Sequence, residues 1–285
     1  MDIERLDRSV ELLKASAAIF LKHRGLLAFP LLSTLALILL VGSFALPLGG
    51  VHALEALNSQ GSKLLFPQYM TAFLFYFCQY FVIFFFNTAL VGAVMMQVDG
   101  DTPTVGDGLR IALSRIYPIL GYAFIAATVG MLLDLIQERV GFVGRFIVGL
   151  LGVAWTFATY LVVPVLAWSQ CGPIEAITQS AELFKRTWGE TVIGVGGMGL
   201  AFALIFIGLF ACGAVLIGLT SHVLHSAFLT IVVEIVLVGA FMLTALVNAT
   251  LTGIYKVALF RYANGFSNIS GFESGVLEQA FRRAD

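Results

Sequence analysis

The chain has 285 residues, of which 59% are hydrophobic and 12% charged, and its formal net charge is −1. A soluble domain carries roughly a quarter charged residues, so this composition indicates a protein that is solvated by a lipid bilayer rather than by water. The near-neutral charge and the lack of a basic cluster argue against a nucleic-acid partner. The three cysteines, Cys78, Cys171 and Cys212, are too widely spaced for a disulfide framework or a CxxC metal site.

Six apolar segments follow one another along the chain, each long enough to cross the bilayer as a helix. Roughly 20 helical residues cross about 30 Å of hydrocarbon. The predicted spans are Gly25–Pro47, Pro67–Val98, Tyr117–Ile136, Phe142–Ala167, Thr191–Gly218 and Phe228–Phe260. The second and sixth exceed the required length, so we expect them to tilt, kink or project beyond the bilayer. Pro164 is expected to kink the end of the fourth span.

The segments that precede the first, third and fifth spans have the periodicity of amphipathic helices. Apolar residues recur there at three- and four-residue intervals: Ile3, Leu6, Val10, Leu13 and Ala17; then Val105, Leu109, Ala112 and Ile116; then Ile174, Ile177, Ala181, Phe184 and Trp188. Thr104 and Asp107 have the spacing of a capping box. Pro173 is at a position where the first turn of a helix tolerates proline. We expect these helices to lie at the headgroup boundary or against the cytoplasmic mouths of the spans.

Lys and Arg are concentrated on one side of the predicted spans. Of the 16 basic residues, the N-terminal segment holds five, the two later amphipathic connections hold two each, and the C-terminal segment from Lys256 holds four. Lys63, Arg139 and Arg145 are on the other side. Because cytoplasmic segments carry the excess of Lys and Arg, we expect a multi-pass protein with both termini in the cytoplasm.

An internal repeat is suggested by two of the amphipathic segments. Residues 8–14 align with residues 179–185 and share Ser, Glu, Leu and Lys in register, whereas Asp107–Arg115 matches them only in pattern. This alignment predicts a single transmembrane domain of three tandem units, residues 1–98, 99–168 and 169–262, with a cytoplasmic tail at 263–285. Each unit would be an interfacial helix followed by a hairpin of two spans. The alternative is that interfacial helices resemble one another by composition alone.

Three short blocks carry a resemblance to a known group of proteins. They are Arg8-Ser9-Val10-Glu11-Leu12-Leu13-Lys14, Gly25-Leu26-Leu27-Ala28-Phe29-Pro30 and Ala258-Leu259-Phe260-Arg261-Tyr262-Ala263. With these blocks the chain resembles a widespread prokaryotic family of uncharacterised six-span integral membrane proteins. The resemblance implies a prokaryotic cytoplasmic membrane, and it implies no activity because the family has none established.

Glu234 is the strongest candidate for a functional side chain. It lies in the sixth span, about 10 Å from its start, where a carboxylate is costly by a few kcal/mol unless it is protonated, paired or hydrated. It would carry a proton or a cation in a transport path, or it is a neutral acid bonded to a neighbouring helix, or it reaches the interface. Asn87, Asn248 and Gln79 would line the same polar route, although interhelical hydrogen bonding is a sufficient explanation for each.

Asp134 and Glu138 stand four residues apart at the outer end of the third span, on one helical face. Such a pair would do acid–base work or bind a cation, and a solvated cap paired with Arg139 and Arg145 fits equally well.

His222 and His225 have a spacing that two metal ligands can share, but no recognised motif accompanies them and no metal site is expected. The letters of Gly194–Gly199 match the dinucleotide fingerprint, yet they lie in an apolar span without a preceding strand. Close approach between helices explains these glycines better, and no cofactor is expected.

Two hypotheses for the function remain, and neither is an enzyme, since the chain has no nucleophile elbow, metalloprotease motif or P-loop. In the first, the protein is a non-enzymatic structural or interaction component of the membrane that binds a protein partner at its cytoplasmic face. In the second, it is a transporter or channel-like protein for a small solute or lipid that uses Glu234, Asn87 and Asn248. The lipid bilayer is a partner in either case, and a homo-oligomer is compatible with both.

Overall fold

The structure, a computed structural model, describes residues 20, 23–45, 66–223 and 225–265. These residues are almost entirely helical, and no strand occurs among them. A 3-10 turn at Arg24–Leu27 precedes the first helix, and a π-helical turn at Leu219–Val223 follows the eighth. The α-helices are α1 Ala28–Ala45, α2 Phe66–Val98, α3 Val105–Ser114, α4 Ile116–Arg139, α5 Phe142–Ala158, α6 Val162–Trp168, α7 Pro173–Arg186, α8 Trp188–Gly218 and α9 Ala227–Ala263. The amphipathic helix predicted from Ile3 to Ala17 lies outside the described residues.

The six predicted spans are confirmed as helices that are long and apolar enough to cross a membrane. They are Gly25–Phe44, Met70–Val98, Ile116–Arg139, Phe142–Trp168, Thr191–Ser221 and Ala227–Ala263. Their bounds agree with the predicted ones to within a few residues, because runs of apolar side chains decide both. The chain is therefore an all-helical, multi-pass membrane protein.

The fourth span is divided into two helices rather than kinked. α5 ends at Ala158 and α6 begins at Val162, so the residues from Thr159 to Leu161 are not helical. Pro164 stands in the first turn of α6. A proline has no amide hydrogen and its ring collides with the carbonyl group four residues earlier, which here is that of Tyr160. The steric effect of Pro164 thus falls on the preceding turn, and the helix is interrupted there.

The chain divides into two compact units. The first unit is Ala28–Arg186, and the second unit consists of the described parts of Met1–Leu27 and Thr187–Asp285. These boundaries do not follow the three tandem units, which stay a prediction.

In the first unit, the buried side chains are concentrated at the end where α3 and α7 lie, which we call the connector end. Buried residues there include Ala89–Met95 of α2 and Leu161–Leu166 around the break. The α3 helix packs closely on the last turns of α2, since a Cβ atom on Gly108 would lie 2.6 Å from the Ala89 carbonyl oxygen. The Ile111 side chain covers Gly92 of α2. The extra length of α2 therefore provides the surface against which α3 packs.

In the second unit, α8 and α9 form an antiparallel hairpin in constant register. The hydroxyl groups of Thr220 and Thr230 lie 3.1 Å apart near the turn. The rings of Phe206 and Phe241 stack at 5.8 Å further along, and the Thr252 hydroxyl donates to the Met198 sulfur at 3.5 Å. The sum of the paired residue numbers is nearly the same throughout, so the two helices face each other turn by turn.

Candidate functional site

A side chain of α7 accepts the hydrogen bond of a backbone amide at the break in the fourth span. The Leu161 amide donates a hydrogen bond to the Ser180 hydroxyl oxygen at 3.0 Å, and neither residue has any exposed surface. One turn away, the rings of Phe157 and Phe184 stack with centroids 5.1 Å apart. A buried backbone amide must find a partner, and here α7 supplies it.

The α4 helix contacts the same region from another direction. The side chain of Tyr122 lies close to that of Thr159, and the Pro173 ring at the start of α7 rests on Gly121, where a Cβ atom would approach it to 2.8 Å. The interrupted turn is thus held by both α4 and α7. We call the Leu161–Ser180 contact and these neighbours the latch.

The α7 helix buries only part of the predicted apolar stripe against its neighbours. The helix buries Ala176, Ser180, Leu183 and Phe184, whereas Ile174 is 71% exposed and Trp188, just beyond its end, is 55% exposed. The predicted apolar stripe runs through those two positions, and its location at the headgroup boundary stays a prediction. The small side chains of Ala176 and Ser180 allow the close approach that the latch requires.

The α3 helix begins with the predicted capping box, which is confirmed. The Asp107 amide donates to the Thr104 hydroxyl at 3.3 Å, and the Thr104 amide donates to the Asp107 carboxylate at 3.0 Å. The hydrogen bond from the Thr104 hydroxyl lowers the pKa of Asp107 below its ordinary value. The exposed face of α3 carries Arg110 and Leu113, and Tyr117 one turn later is 82% exposed.

We use the name connector surface for the exposed residues of α3, of the start of α4 and of α7. It comprises Arg110, Leu113, Tyr117, Ile174, Lys185 and Arg186. It mixes apolar and basic groups on helices that are fixed from behind. The nearby Cys171 is buried, and burial and then the Glu175 carboxylate raise the pKa of its thiol. A thiol held neutral in this way is a poor nucleophile.

Glu234 lies on α9 of the second unit, exposed at one end of a groove between α8 and α9. The groove has a volume of about 360 Å³. Apart from Glu234, all the residues that line it are apolar, including Gly213. Within the described residues Glu234 makes no hydrogen bond or ion pair. Within the second unit, this carboxylate therefore lies at the exposed end of an otherwise apolar groove.

The other polar residues of the predicted route are dispersed. Asn248 is half-buried on the same helix as Glu234, about 21 Å farther along it. Asn87 and Gln79 are half-buried on α2, in the other unit. Within the second unit, Glu234 and Asn248 are too far apart to bind one small ligand.

Asp134 and Glu138 are both exposed on the last turns of α4. Among the described residues, neither carboxylate forms a hydrogen bond or an ion pair with Arg139 or Arg145. A catalytic or cation-binding role for the pair stays a prediction. In the part of the chain that the structure describes, no three His, Cys, Asp or Glu residues come together as a metal site; His52 and the side chain of His222 lie outside it.

The glycine-rich segment of the fifth span is helical within α8. Gly194 abuts the Tyr255 hydroxyl of α9, where any Cβ atom would overlap that ring, but nothing lies within 4 Å of a Cβ atom at Gly196, Gly197 or Gly199. Close helix approach thus explains Gly194 and not the other three.

Sequence reasoning missed the latch. Its only signal was the register match between residues 8–14 and 179–185, in which Ser180 is one of the shared residues. A serine that follows a glutamine is easily taken for part of a polar face, and the backbone partner of Ser180 lies 19 residues away.

Comparison with known proteins gives one match. A family model described as "Family of unknown function (DUF6159)" matches residues 67–272, which is more than half of the chain. No curated protein and no solved structure matches the chain.

Proposed function

Because this chain belongs to DUF6159, a family of unknown function, membership assigns it no activity, and we propose that it is a non-enzymatic structural or interaction component of the cytoplasmic membrane. Its connector surface binds a protein partner. The observation that carries this proposal is the exposure of Ile174 and Tyr117, at 71% and 82%, on helices that are held rigidly from behind. Exposed apolar residues with basic neighbours on a fixed backbone are typical of binding surfaces.

The transport alternative has less support. The groove that contains Glu234 is otherwise apolar, and the polar residues that would line a route are far apart or in different units. A path for a polar solute needs converging polar groups along the span, and the described residues of the second unit do not provide them.

The orientation belongs to the same proposal. The connector end faces the cytoplasm of a prokaryotic cell, as do both termini, because thirteen of the 16 basic residues lie in segments on that side. Reporter fusions after Asp285 and within the short connection at Gly141 test this orientation. A reporter that is active only in the cytoplasm is expected to be active after Asp285 and inactive at Gly141. The reverse result contradicts the proposed orientation.

The partner is tested by photo-crosslinking in living cells. A photoreactive amino acid at Ile174 yields a discrete protein adduct, because that side chain lies on the connector surface. The matched control is Phe142, which is 89% exposed at the opposite end of the first unit and yields only lipid adducts. Lipid adducts alone at Ile174, or protein adducts of equal yield at Phe142, contradict the proposal.

A further inference from the structure

The groove between α8 and α9 is amphiphilic along its length. In the register of the hairpin, Glu234 lies opposite Ile217 at one end, and Phe241 lies opposite Leu209 at the other. These positions are eight residues apart on α8, or about 12 Å along the helix. Leu237 packs directly on Gly213 and forms the floor of the groove. A Cβ atom added to Gly213 would lie only 2.8 Å from a methyl group of Leu237. One end of the groove is therefore acidic and the rest is apolar.

The position of Glu234 along α9 matches a membrane boundary. Glu234 and Lys256 lie on one uninterrupted helix, 22 residues or about 33 Å apart, close to the roughly 30 Å of hydrocarbon in a bilayer. If α9 crosses the hydrocarbon along this length, Glu234 lies at one boundary of the bilayer, and the groove runs from it toward the middle of the bilayer.

We propose that this groove binds a membrane phospholipid with a primary ammonium headgroup. The ammonium group donates a hydrogen bond to the Glu234 carboxylate, and one acyl chain lies along the apolar groove. Charge complementarity selects the headgroup, because hydrogen bonds between ionised groups are stronger than neutral ones and an anionic headgroup is repelled. The volume of about 360 Å³ lies at the lower end of the range for small-ligand sites.

A second copy of the chain fits the groove less well. Two copies inserted in the same direction and related by a two-fold axis place identical residues at the same depth. If the grooves of the two copies face each other, their Glu234 side chains come close as like charges and repel each other. The proposal does not depend on a protein partner at the connector surface.

Photo-crosslinking in vesicles tests the lipid site. The full chain is reconstituted in equal parts of phosphatidylethanolamine, phosphatidylglycerol and phosphatidylcholine, and each lipid in turn carries a diazirine on its acyl chain. We expect phosphatidylethanolamine to label peptides 209–217 and 234–241 about tenfold more than phosphatidylglycerol does. Phosphatidylcholine, which has no N–H group, labels them less than phosphatidylethanolamine. Labelling of α1 peptides serves as the internal standard for folded, reconstituted protein.

Two pairs of variants separate the headgroup from the acyl chain. Glu234→Gln abolishes the preference for phosphatidylethanolamine but keeps acyl-chain labelling, whereas Glu138→Gln, an exposed carboxylate outside the groove, changes neither. Ala214→Phe fills the groove and removes its labelling by every lipid, whereas Ala211→Phe, exposed on the same helix outside the groove, leaves labelling intact.

Several results would overturn the proposal. They are equal labelling by phosphatidylethanolamine and phosphatidylglycerol, equal labelling by phosphatidylethanolamine and phosphatidylcholine, a preference that survives Glu234→Gln, and chain-to-chain adducts in place of lipid adducts at the groove.

Discussion

Removing the Ser180 hydroxyl should destabilise the protein through a single hydrogen bond. Ser180→Ala deletes one oxygen atom and leaves the Leu161 amide without its acceptor, at a position where both residues are 0% exposed. A buried donor left unsatisfied costs about 1–3 kcal/mol, while hydrogen bonds between membrane helices average about 0.6 kcal/mol. Pro164 prevents this turn from forming regular helical hydrogen bonds in place of the lost one. We therefore expect a loss of about 1–2 kcal/mol in the free energy of unfolding.

The assay is reversible unfolding of the purified chain by a denaturing detergent in mixed micelles, followed by circular dichroism. Thr178→Ala is the matched control, since Thr178 is exposed on the same helix and its hydroxyl donates only to the Ile174 carbonyl of its own turn, at 3.1 Å. A surface change of that kind lies within about 0.5 kcal/mol of wild type. If Ser180→Ala falls within the same limit, the latch does not stabilise the break and the reasoning fails.

Two further predictions concern close packing and pH. Gly194→Ala should lower the free energy of unfolding by about 1–3 kcal/mol, because the added methyl group overlaps Tyr255. Gly197→Ala should be neutral or stabilising by up to about 1 kcal/mol, because nothing lies within 4 Å of its added methyl group. The same unfolding assay compares the two variants, and equal effects contradict the close packing at Gly194. The hydrogen bond from Thr104 lowers the pKa of Asp107 in the folded state below its ordinary value of 3.8. The ionised Asp107 carboxylate should therefore stabilise the folded state above pH 3.8, and this stabilisation should be lost as the pH falls through the lowered pKa of the folded state. The stability difference between wild type and Asp107→Ala should therefore be constant near neutral pH and shrink in acid; a difference that grows in acid contradicts the assignment.

The spans could be predicted because the information that determines them is local. A run such as Phe142–Ala167 is apolar throughout, and the bilayer requires every such run to satisfy its own backbone, so its helical structure follows without knowledge of its neighbours. The capping box at Thr104 was predictable for the same reason, since its two partners are three residues apart.

Features that depend on distant residues could not be predicted. The position of Pro164 indicated a kink, but whether the helix bends or breaks depends on an acceptor for the Leu161 amide, and that acceptor is on another helix. The burial of Ser180 shows the same limit, because hydrophobicity does not reveal that a small polar side chain permits close packing between helices. For Glu234, the sequence indicated depth in a span, whereas the apolar groove beside it is formed by residues of α8 that precede it by about twenty positions.

The distance along the chain between Leu161 and Ser180 has a consequence for biosynthesis. The acceptor is made 19 residues after the donor, a delay of about one to four seconds at typical rates of translation. The break in the fourth segment therefore acquires its hydrogen-bond acceptor only after the following amphipathic stretch has been synthesised. The two consecutive pieces of the polypeptide complete this contact together.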